Sequence, residues 1–122
     1  MAIHFAKQGA RIVLWDIDID SMERTATIVR SMKADALAYY CDMTKEDEVN
    51  RVAEKVFNEI GPVDILVNNA GILNGKTLLT LRTDEIRRTF DVNVLAHFWV
   101  RSIFFIFNFL EIRWVVHVET SN

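Results

Sequence analysis

The sequence predicts an α/β fold, with a parallel sheet and helices packed against it. Three observations lead there. Apolar runs at Arg11–Asp16, Ala36–Cys41 and Val63–Val67 alternate with segments whose apolar residues recur at helical spacing. The connections between them are short, so successive strands must be joined by right-handed crossovers and lie parallel. The first run is apolar at nearly every position, as a strand buried on both faces requires.

The chain opens in a helix, with Ala2, Phe5, Ala6 and Gly9 on one face and Gly9 placed to stop it. The strand Arg11–Asp16 follows and closes on a carboxylate. Asp20, with Glu23 three residues on, has the pattern of a capping pair. Met22, Ala26, Val29 and Met32 then mark a second helix, and Ala36–Cys41 a second strand. Thr44 is the expected cap of a third helix, carrying Val49, Val52, Val56 and Ile60 as its apolar stripe and ended by Gly61-Pro62. Val63–Val67 runs as a third strand into Asn68-Asn69-Ala70-Gly71. A last helix begins at Thr83, with Ile86, Phe90, Asn93 and His97 on one stripe. Beyond about Val100 the pattern fails, which divides the chain into a domain over 1–99 and a hydrophobic tail over 100–122.

At 122 residues the chain has room for one modest domain. A net charge of −3 without clustered Lys or Arg argues against a nucleic-acid partner. Cys41 is the single cysteine and no Cys/His spacing suits a metal, which fits a reducing, intracellular compartment. The start, Met1-Ala-Ile-His-Phe-Ala-Lys7, is too short and too polar for a secretory signal. The stretch from Val92 to Leu110 contains Asn93, His97, Arg101 and Asn108, which disfavours a membrane span. Phe104, Phe107, Leu110 and Trp114 stand at helical spacing, so membrane contact by an interfacial helix is the rival reading of the tail.

Asn68-Asn69-Ala70-Gly71, placed directly after an apolar strand, resembles the signature of short-chain dehydrogenases/reductases. Asp16 and Asp42 at two strand ends and Asn93 in the following helix strengthen the resemblance. The wording of Ala6-Lys-Gln-Gly-Ala10, Val13-Leu-Trp-Asp16 and Asp91-Val-Asn-Val94 is similar to the branch acting on retinol and 17β-hydroxysteroids. The resemblance covers roughly Met1 to Trp99. It implies a partial Rossmann-like parallel sheet with flanking helices, lacking the family's first strand and C-terminal half.

It also implies roles. A carboxylate such as Asp16 accepts the ribose hydroxyls of NAD and repels the 2′-phosphate of NADP, so NAD is the expected cofactor. The alternative on position alone is that Asp16 starts a turn toward Asp18 and Asp20. Asp42 and the backbone amide of Met43 match the family's contacts to the adenine edge, while beside Thr44 the same Asp42 suits a helix entry. Asn69, Ala70 and Gly71 match the turn that lets the backbone approach the cofactor. Asn93 matches the asparagine that holds a water in the proton relay, with a structural amide bonding its own helix as the alternative. The implied substrate is a small lipophilic alcohol or ketone, and the implied oligomer a homo-oligomer through the Thr83 helix. Family resemblance places the protein in the cytoplasm or at the surface of the endoplasmic reticulum or lipid droplets.

Two family parts have no counterpart in the sequence. The glycines are Gly9, Gly61, Gly71 and Gly75, and none belongs to a Thr-Gly-x-x-x-Gly-x-Gly turn. Tyr39 and Tyr40 are followed four residues on by Met43 and Thr44, so no Tyr-x-x-x-Lys exists, and Ser102 and Ser121 lie outside any context matching the catalytic serine. The expectation is a chain that binds cofactor weakly and does not turn over. It would be a non-catalytic form that pairs with a full-length homologue, or an incomplete record of an active dehydrogenase. Without the family's first strand, a gap is expected between the strands ending at Asp16 and Val67, leaving a marginal, aggregation-prone sheet.

Overall fold

The computed structural model describes residues 1–107 and 115–118, with side-chain surroundings for 1–105. The order is α1 (Ala2–Lys7), β1 (Ile12–Asp16), α2 (Ile19–Ser31), β2 (Ala36–Tyr40), α3 (Glu46–Glu59) and β3 (Ile65–Asn68). A short 3₁₀ turn at Leu78–Thr80 leads to α4 (Thr83–Phe90), a π-helical turn (Asp91–Leu95), α5 (Ala96–Phe107) and β4 (Val115–Val118). Gly9, at φ 84°, supplies the left-handed residue that ends α1.

β1 shows why these residues form an α/β sandwich. All five of its residues are buried, and the pleat sends alternate side chains to opposite faces. Ile12 and Leu14 pack with Ala2 and Ala6 of α1 and Met22, Ala26 and Val29 of α2. Val13 and Trp15 pack on the other face with Val49, Val52 and Val56 of α3 and Val100 and Phe104 of α5. Trp15 and Phe104 meet with ring centroids 5.4 Å apart at a 40° tilt. Each helix thus turns its small or β-branched residues to the sheet and its charges to water.

The sheet order is β2-β1-β4-β3, all parallel. Here the expectation of a central gap fails. β4, the last strand in sequence, lies between β1 and β3, pairing Ile12 with Val115 through Trp15 with Val118 on one side and Ile65 with Val115 through Asn68 with Val118 on the other. The ladder is continuous, so the unpaired backbone groups that grounded the expected instability are absent from the middle of this sheet. α5 also runs through Val100 without a break, and Val100 and Phe104 belong to the same core as Val13.

Other local expectations shift as well. Asp18, not Asp20, caps α2, its carboxylate accepting from the Ser21 backbone N–H at 3.0 Å. Lys45, not Thr44, is the N-cap of α3, because Thr44 is turned back onto Asp42. The stripe Ile86, Phe90, Asn93, His97 does not face the core: Phe90 is 61% exposed, and the buried line is Val92, Ala96, Val100 and Phe104. The π turn at Asp91–Leu95 inserts extra residues into the helix, so a stripe counted at regular α spacing through it points to the wrong face. In the tail helix proposed from sequence, Phe104 is buried against Trp15, Phe107 is the last described residue of α5, and Leu110 and Trp114 lie outside the described residues. No helix among the described residues is long and apolar enough to cross a membrane.

Candidate functional site

Because the strands are parallel, their carboxyl ends share one edge, and the residues singled out in the sequence gather there. Asp16 ends β1, Asp42 and Met43 follow β2, and Asn68 ends β3 just before Asn69, Ala70 and Gly71. In α/β sheets this edge is where ligands bind.

Asp16 is only 3% exposed, as a buried carboxylate can be when its oxygens are bonded. Its Oδ1 accepts from the Asp18 backbone N–H at 3.0 Å, the turn toward Asp18 that position alone allowed. That turn hands the chain to the Asp18 cap and so fixes the start of α2 at the edge of the sheet.

Asp42 is held by a tight local network. Its Oδ1 accepts from the Thr44 hydroxyl at 2.7 Å and the Thr44 N–H at 3.1 Å, its own N–H donates to Glu48 at 3.0 Å, and Lys45 Nζ stands 3.5 Å from Oδ2. Partial burial works against its charge, yet the Thr44 bonds and Lys45 prevail and hold its carboxyl below the usual range. Met43 is buried beside it.

Asn69 is exposed and Ala70 buried. A Cβ on Gly71 would meet only Asn93 Oδ1, at an ordinary 3.7 Å, so the folded chain itself does not demand glycine there. Asn93 is exposed, so the stripe it shares with Ile86, Phe90 and His97 does not carry it into the core. Its amide clamps the chain after β3 at two points, Oδ1 accepting from the Ile72 N–H at 2.8 Å and Nδ2 donating to the Ile72 carbonyl at 3.0 Å. The π turn supplies the offset that aims this amide across at Ile72. Its partner is thus another loop, not its own helix.

Between these elements lies a pocket of about 360 Å³. Ile17, Met43, Ile72 and Val92 give it apolar walls, Asp42 and Thr44 a polar side, and Arg88 and Asp91 stand on α4 and the π turn above. Ile17, Ile72, Arg88 and Val92 were not singled out from sequence. Val92 had a signal in its place beside Asn93; Arg88, in a run of surface charges, had none.

Tyr39 and Tyr40 take no part. The Tyr39 hydroxyl donates to Glu59 at 2.8 Å, and burial together with that carboxylate pushes its pKa up to about 12, the opposite of what a proton-exchanging phenol needs.

The family model described as short chain dehydrogenase matches residues 1–106. The chain belongs to the short-chain dehydrogenase family. It is 41% identical over 105 residues to mouse (Mus musculus) epidermal retinol dehydrogenase 2, covering 85% of this chain and 34% of that protein. It is 42% identical over 103 residues to mouse estradiol 17-beta-dehydrogenase 11, covering 84% and 35%. The chain therefore spans about a third of the length of the curated relatives it matches. Among solved structures, NAD⁺-bound xylitol dehydrogenase is similar with a TM-score of 0.82 and 28% identity, over 87% of this chain and 41% of that one. An alcohol dehydrogenase from Thermococcus sibiricus in complex with 5-hydroxy-NADP is similar with a TM-score of 0.79 and 26% identity, over 87% and 46%.

A family that works with nicotinamide dinucleotides poses a question of fit, and the two halves of such a ligand fare differently. An adenosine needs an apolar slot with a fixed acceptor beside it, and the pocket of Ile17, Asp42, Met43 and Val92 has that chemistry. A diphosphate needs a cradle of backbone N–H groups at a helix N-terminus. Among the described residues no glycine turn provides one: Gly9 follows α1, Gly61 follows α3, and Gly75 lies beyond Ile72.

Proposed function

We propose that this chain carries the adenosine-side part of an NAD-dependent oxidoreductase acting on a lipid-like alcohol or ketone of the retinol or hydroxysteroid class. The observation behind the reading is the gathering of Asp16, Asp42–Met43 and Asn69–Gly71 at the carboxyl edge of one parallel sheet, beside a pocket that Asp42 and Met43 line and whose Ile72 wall is clamped by Asn93. Asp16 faces the ribose, Asp42 and the Met43 amide the adenine, and small Ala70 and Gly71 admit the ligand to the backbone. Asn93 stiffens the turn they stand on and, in a complete site, steadies the relay water. Hydride exchange is the chemistry the nicotinamide supplies when bound. With no Tyr-x-x-x-Lys in the sequence, the chain alone binds but does not turn over. The substrate class rests on the mouse relatives' names, and an intracellular site at the cytosol or a lipid surface is part of the same proposal, resting on family resemblance.

The test is titration with NAD and NADP, followed by binding isotherms and by absorbance at 340 nm with retinol or estradiol added. NAD should bind more tightly than NADP, with no absorbance change, and Asp16→Arg should reverse the preference. Equal binding of both cofactors before and after that substitution would refute the ribose assignment.

A second reading has its own observation. Phe90, Val94, Phe98 and Phe105 stand 61%, 40%, 58% and 69% exposed along α4, the π turn and α5. Such a stripe supports pairing with a second copy or a full-length homologue. A Phe98→Glu change should abolish capture of the homologue; capture that survives it would exclude this face.

A further inference from the structure

One charged group that lines the pocket makes no ion pair among the described residues. Arg88 is exposed, and its guanidinium enters none of the ion pairs among the described residues, whereas Arg82 on the same helix is paired with Asp84. It nevertheless lines the pocket together with Asp42 and Met43, one helical turn before buried Val92. The slot so formed is lined by apolar Ile17, Met43 and Val92, by a carboxylate held in its charged form and by a planar cation. That combination matches a flat, electron-rich heteroaromatic ring bearing an amino group. The ring face attracts the guanidinium, the amino group donates to the carboxylate, and the edges bury against the apolar walls.

We infer that Arg88 is a specificity-determining residue that stacks on the aminopurine of the nucleotide and so selects the base. The inference deepens the nucleotide reading above and rests on it. It is chemically distinct from the Asp16 assignment, because Arg88 lines the Asp42 pocket and not the turn from Asp16 to Asp18.

The test compares binding of 5′-AMP and ribose 5-phosphate to the whole chain and its Arg88→Ala and Arg88→Lys forms, by NMR titration. Arg88→Ala should weaken 5′-AMP about three-fold, as expected for an exposed cation–ring contact, and leave ribose 5-phosphate unchanged. Arg88→Lys, which keeps the charge but not the plane, should fall between. The melting temperature should not move, since the side chain makes no ion pair among the described residues. If 5′-AMP binds the parent and Arg88→Ala equally, Arg88 does not read the base, although the nucleotide reading stands. Equal weakening of both ligands would mean a charge effect on phosphate and overturn the stacking role. If the parent binds no 5′-AMP at all, the nucleotide reading fails and the role of Arg88 with it.

Discussion

β1 and β4 are neighbours in the same sheet, yet they reach their places by different routes. β1 carries its own instructions: five consecutive buried residues, alternate ones matched to α1 and α2 on one face and to α3 and α5 on the other. β4 has the β-branched sequence Val-Val-His-Val, which favours a strand, but nothing local says which. Its central seat is dictated by β1 and β3, which each offer an open ladder edge to any parallel strand between them. A buried strand is defined by its sequence; a strand that fills a seat is defined by its neighbours.

The largest break in this comparison comes from the β1 side. Trp15→Ala removes the largest fully buried side chain and its contact with Phe104, and should cost about 3–5 kcal/mol in chemical denaturation. Such a loss approaches the whole stability of a small domain. Val116→Pro tests the seat itself. It removes one backbone donor from the middle of the sheet, where a proline is not tolerated, and should cost about 1–3 kcal/mol by the same measurement. No change on Val116→Pro would mean that β4 is not paired as described.

Asn93→Ala should cost less, about 1 kcal/mol, because its two bonds to Ile72 are exposed and water can replace them. Its sharper effect should be faster amide exchange at Ile72. The smallest effect is on pH dependence. Asp42 has a folded pKa below its unfolded value, so its contribution is present at neutral pH and is lost as pH falls below about 4 and through the folded pKa. Asp42→Asn should therefore flatten the acid side of the stability profile and leave the region above pH 6 unaltered.

The regular parts of this molecule were legible because their signals are local. The apolar run of β1, the Val49–Val52–Val56 stripe of α3 and the placement of Asp16, Asp42 and Asn68–Gly71 at strand ends need no knowledge of distant partners. The failures share a cause in non-local or irregular geometry. The helix stripe through Asn93 misled because a π turn breaks the 3.6-residue count. The cap of α2 moved from Asp20 to Asp18 because the carboxylate of Asp16 draws the turn tighter. The filled centre of the sheet was invisible because it depends on two edges about fifty residues apart in sequence. Arg88 looked like any surface charge, and only the fold sets it over a pocket.

The most direct test of the whole account is amide hydrogen exchange of the chain with and without NAD. The account predicts slow exchange at Val115–Val118, comparable to Ile12–Asp16, and added protection at Asp42–Thr44 and Gly71–Ile72 when NAD is present. Exchange at Val115–Val118 as fast as in an unfolded chain, or no response to NAD around Asp42 and Gly71, would contradict it.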